Sequence, residues 1–74
     1  MNSADKKAVV TDFLKRCNRY AEGQLAKYRQ DLVAADAAMA LTIQDKIGHW
    51  TAYRAFNEHA LDEIGRGELD DWFA

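Results

Sequence analysis

The chain is expected to fold as an all-α, antiparallel two-helix hairpin that ends in a short C-terminal helical turn and dimerises into a four-helix bundle. Three observations carry this expectation. The sequence has no proline and abounds in Ala, Leu, Lys, Gln and Glu, which are strong helix formers. Its apolar residues recur at spacings of three and four, with no alternating pattern of the kind a strand requires. Finally, 74 residues with a single cysteine allow one small domain and no internal disulfide. A core that small leaves association with a second copy as the expected staple.

The first helix, about residues 4–33, rests on Val10, Leu14, Cys17, Ala21, Leu25, Tyr28 and Leu32. At roughly 100° per residue these form one stripe, broadened by Phe13 and Tyr20. Ser3 is the expected N-cap, and Asp5 complements the positive end of the helix dipole. The bend is placed near Ala35. A second helix, about residues 37–64, carries the stripe Met39, Ile43, Ile47, Trp50, Tyr53, Asn57, Leu61 and Ile64. Asp36 caps its start and Gly65 supplies a left-handed stop. This register sets Leu32 against Met39, Tyr28 against Ile43 and Val10 against Leu61. The alternative is a break at Gly23 or Gly48 that divides the chain into three shorter helices.

The second helix has a further apolar side, formed by Leu41, Gly48, Ala52 and Ala55 with Phe56 on its shoulder. A helix that is apolar on two sides belongs inside a bundle. These five residues are therefore the expected dimer interface, with the Gly48–Ala52 spacing suited to close helix approach.

The segment 65–74, "GRGELDDWFA", closes the chain. Its glycines end the helix, and "ELDDWF" is long enough for one further turn with Leu69, Trp72 and Phe73 on one side. One reading folds this turn over the open end of the hairpin, near Val9, Val10 and Phe13, with its acids close to Lys6 and Lys7. The other makes Leu69, Asp70, Asp71, Trp72 and Phe73 a partner-binding motif. Aromatic anchors of this kind contribute disproportionately to protein interfaces.

Charge and chemistry narrow the function. The net charge is −2, with seven Lys/Arg against five Asp/Glu in residues 1–37 and three against seven in residues 38–74. An acidic chain does not fit nonspecific nucleic-acid binding. Lys6, Lys7, Lys15, Arg16, Arg19 and Lys27 nevertheless give the first helix a basic side around Tyr20, so a weak nucleic-acid-associated regulator is the alternative reading. Asp12, Glu22 and Asp31 interrupt that patch, and Asp12–Arg16 and Lys27–Asp31 have the spacing of ordinary helix ion pairs. The histidine pairs Asp45–His49 and His59–Glu63 would have to come together to hold a metal. They lie about 20 Å apart along one helix, so no metal or other cofactor is expected, and a metal-binding helical protein is the least favoured alternative. Ser3 lies at a fraying terminus, and Cys17 is placed to pack as a small hydrophobe. Glu58 with Asp62, and Asp70 with Asp71, have no concave pocket around them. No enzymatic activity is expected.

The stretch "TDFLKRC", residues 11–17, resembles the opening of the haemolysin-expression-modulating family of small helical bacterial regulators. The resemblance covers only these residues. The later histidine and tryptophan depart from that family's spacing, so no functional residue is carried across. No signal-peptide core or membrane-length apolar run is present, and a free thiol suits a reducing compartment, so a cytoplasmic protein is expected. The expected role is that of a small noncatalytic adaptor or regulator. It would act through protein contacts, with a second copy of itself and through the C-terminal segment.

Overall fold

The computed structural model describes residues 1–74. Two helices, α1 (Ser3–Val33) and α2 (Ala37–Gly65), are followed by a 3-10 turn at Asp70–Phe73, and there is no strand. Neither Gly23 nor Gly48 interrupts its helix, because flanking residues with high helix propensity and one continuous packed stripe outweigh the cost of a single glycine.

Local chemistry sets the helix ends. Asn2, not Ser3, caps α1: its Oδ1 accepts the Asp5 N–H at 2.8 Å, which leaves Ser3 as the first helical residue. Asp36 caps α2 as expected, accepting the Met39 N–H at 2.8 Å. The stop of α2 falls two residues later than expected. Gly65 is still helical, and Gly67 takes the left-handed conformation at φ 77°. The Gly67 N–H donates to the Ile64 carbonyl and the Glu68 N–H to the Glu63 carbonyl, both at 3.1 Å. This paired pattern is a Schellman ending, which satisfies carbonyls the helix leaves open.

The helices run antiparallel, and their cross-contacts step regularly from the bend to the open end. Lys46 lies 5.9 Å from the Tyr28 ring centre, Tyr20 meets Trp50 edge-on at 5.5 Å, and Cys17 sits beside Tyr53. That progression lies within one helical turn of the register anticipated for a bend at Ala35, although it does not show the anticipated pairs themselves. The α1 stripe from Val10 to Leu32 faces inward throughout, with Ala21 and Leu25 fully buried. The α2 stripe is likewise inward, deepest at Ile43, Asn57 and Ile64. Met39 is an exception: it is exposed, since α1 ends at Val33 and offers it little to pack against. Phe13 and Tyr20 are exposed too and do not widen the core.

The result is a rod measuring 52 × 16 × 14 Å with a radius of gyration of 16.3 Å; a compact chain of this length has about 11 Å. Its accessible surface is 5307 Å², whereas a globular monomer of the same mass exposes about 4,600 Å². Only five residues are buried, so the interior is a single seam between two helices.

The two kinds of glycine should respond oppositely to alanine. At Gly67 an added Cβ would lie 3.1 Å from Asp70 Oδ2 in a left-handed backbone, so Gly67→Ala should cost about 1–2 kcal/mol. Around Gly23 there is nothing within 4 Å, so Gly23→Ala should gain roughly 0.5–1 kcal/mol. Urea denaturation of the two variants beside the parent checks both signs.

Candidate interaction surfaces

No group of three or more His, Cys, Asp or Glu side chains converges to hold a metal. The one cavity is an open apolar depression of about 290 Å³ near the bend, lined by Ala38, Met39, Thr42 and Ile43; none of these side chains titrates. His59 pairs with Glu63 at 2.7 Å. His49 meets the Trp50 ring edge-on at 5.3 Å, and no ion pair joins it to Asp45. On α1, Asp12 and Arg16 pair at 3.0 Å, whereas Lys27 leans over the Tyr28 ring at 5.6 Å and makes no ion pair with Asp31. What the molecule offers is surface, in three regions.

The first is the ridge of α2 turned away from α1. Leu41, Gly48, Ala52 and Ala55 all lie there, exposed, and the space around Gly48 is open.

The second region was not recognised as a surface from the sequence. Val9, Phe13 and Tyr20 on α1, and His49 and Phe56 on α2, are each offset by about 100° from their own helix's core stripe, in the same rotational sense. In an antiparallel pair that common sense brings both rows to the same side of the rod. Ring contacts link the rows through the seam: Tyr20 meets Trp50, and Trp50 meets His49 edge-on at 5.3 Å. Such pairs hold orientation as well as burying area. At the open half of this side, Phe13 and Phe56 stand at the same level and remain 63% and 69% exposed, with Tyr20 at 60%. Three large aromatic side chains thus stand exposed on one side of a small protein. Phe56 thus belongs to this side as much as to the ridge. The seven-residue spacings Phe13–Tyr20 and His49–Phe56 were the signal available in the sequence.

The third region is the C-terminal turn. Lys7 donates to Asp70 Oδ1 at 2.6 Å, which draws the turn back against the start of α1. Leu69 and Phe73 are half-buried there, whereas Asp70 and Asp71 are exposed and Trp72 is 78% exposed. The turn therefore packs through part of its apolar set and presents the indole outward. Arg66 bridges the base of the turn, pairing with Asp62 at 3.1 Å and Glu68 at 3.2 Å.

Polar atoms within the seam remain unsatisfied. Asn57 is 3% exposed, and its Nδ2 has no hydrogen-bond partner; Asn18 Oδ1 is likewise buried and unpaired. The Cys17 thiol beside Tyr53 pushes the phenol's pKa above its usual value, and desolvation adds to this. The nearby Asn57 amide acts in the opposite direction, although it is not positioned for a well-formed hydrogen bond.

No protein-family model matches the chain, and no curated protein or solved structure shows significant similarity to it. No helix is long and apolar enough to cross a membrane.

A buried amide without a partner costs stability while fixing which residues face each other. Asn57→Leu should therefore raise the unfolding free energy by about 1 kcal/mol. It should also loosen specificity, so that chromatography with light scattering finds a broader distribution of species than the parent gives.

Proposed function

We propose that this chain is a small noncatalytic adaptor or regulator that works through protein contacts and does so as a homodimer. The observation that supports this most directly is the aromatic side. Phe13, Tyr20 and Phe56 are large, apolar and exposed together, on a rod whose surface exceeds that of a globular monomer by roughly 700 Å². That excess is close to the ~800 Å² each partner contributes to a standard stable interface. Over its whole length the rod leaves open about as much extra surface as an interface consumes, and it has no pocket lined by titratable groups that a catalyst would need.

Two faces compete for the role of interface. The ridge of Leu41, Gly48, Ala52 and Ala55 offers close backbone approach, and the aromatic side offers the larger side chains. The aromatic side is the better candidate because aromatic residues dominate the energetics of interface cores. The C-terminal turn, with Asp71 and Trp72 outward, is the surface best suited to a different protein, one with a basic, apolar groove.

Sedimentation equilibrium tests the reading. The parent should be a dimer at micromolar concentration, and Phe13→Glu or Phe56→Glu should make it monomeric while helicity is retained. Gly48→Ala should leave association intact if the aromatic side is the interface, and should weaken it if the ridge is. A folded, monomeric parent at the highest attainable concentration would sink the homodimer.

A further inference from the structure

Resting on the homodimer proposed above, we infer that a second copy of this chain packs on the aromatic side about a twofold axis parallel to the helices, so that α1 of one copy lies over α2 of the other and Lys27 faces Asp45 across the rim. A face-to-face pair of hairpins has two simple symmetric arrangements. With the twofold running across the helices, α1 lies over α1 and α2 over α2. With the twofold parallel to them, each α1 lies over the partner's α2, antiparallel to it.

Charge separates these arrangements. The outer edge of α1 beside the aromatic row carries Arg16, which Asp12 partners, and Lys27, with Asp31 one turn beyond it; the outer edge of α2 carries Asp45, and Glu63, which His59 partners. The crossed arrangement sets basic edge on basic edge, whereas the parallel twofold sets basic on acidic. Like charges placed together across an interface disfavour the wrong mode strongly. Lys27 and Asp45 are both exposed, and neither takes part in any of the chain's ion pairs, which involve Lys7, Arg16, Arg54, His59 and Arg66. The Lys27 ammonium only leans over the Tyr28 ring, so neither charge is neutralised within the chain and both are available for a partner.

The symmetry also fixes the levels. A twofold parallel to the rod permits no sliding along it, so the heights that match within the hairpin match again between copies. Phe13 then meets the partner's Phe56 at its own level, Tyr20 meets the partner's His49–Trp50 step, and Lys27 meets the partner's Asp45. The contact is isologous and closes at two copies.

A charge exchange tests the arrangement, read by sedimentation equilibrium with helicity as the control for folding. Each single substitution acts twice by symmetry. Lys27→Glu and Asp45→Lys should each raise the dimer dissociation constant about tenfold, and the double variant should return to within about twofold of the parent. If the parent is a dimer and the single variants associate as the parent does, or the double variant is no better than the single ones, the arrangement is wrong while the homodimer stands. A monomeric parent would overturn both.

Discussion

Two helices laid side by side can bury only the stripe that each turns to the other, and every other property of this molecule follows from that limit. Burial is deepest at Ala21 and Leu25, where a small side chain and a leucine fill the seam between the helices. Extending the helices lengthens the seam without thickening it. A 31-residue α1 and a 29-residue α2 therefore yield a 52 Å rod and not a rounder domain with an enclosed core. No third layer covers the sides, so side chains too large for the seam must stand at its edges.

Those edges are chemically unequal. One carries Phe13, Tyr20 and Phe56, with Tyr20 set edge-on against Trp50. The other carries Lys15, Glu22 and Arg29 on α1, with Arg54 and Glu58 on α2, the last two paired at 3.8 Å. An exposed i,i+4 pair of this kind contributes a few tenths of a kcal/mol at most to folding. One side of the rod is thus set with charged side chains throughout, whereas the other exposes its large aromatic residues between a few charges at its edges.

How much of this the sequence revealed depended on how local each feature is. The stripes were legible because a 3.6-residue period acts within one helix, and Asp36 was legible because a cap needs only its own turn. Ser3 and Asn2 are both competent caps, and the choice between them falls to which residue leaves helical backbone angles, with Asn2 at φ −82° and ψ 173°. Gly65 and Gly67 posed the same problem at the other end, two residues apart, with only Gly67 adopting a positive φ. The aromatic side was harder for a different reason. Phe13 and Phe56 are 43 positions apart, and whether they share a side depends on the direction of the second helix as well as on its phase. In a parallel pair the same offsets would place them on opposite sides. The relation becomes visible only once reversal and register are both known.

A parallel twofold has one more consequence, which joins the aromatic side to the C-terminal turn. In that arrangement the two copies of α1 run in the same direction, so both open ends of the hairpins lie at one end of the bundle and both bends at the other. Each open end carries the turn that Lys7 holds through Asp70, with Trp72 facing outward. Two acidic, aromatic turns would then stand side by side, and a partner with two matching grooves would engage them with an effective concentration far above that of either alone. The crossed twofold would separate the turns by most of the 52 Å length of the rod and forbid such bivalent contact to any small partner. The symmetry of the proposed dimer would therefore decide whether the two turns can act together, and the charges proposed to select it lie on α1 and α2, well away from Trp72.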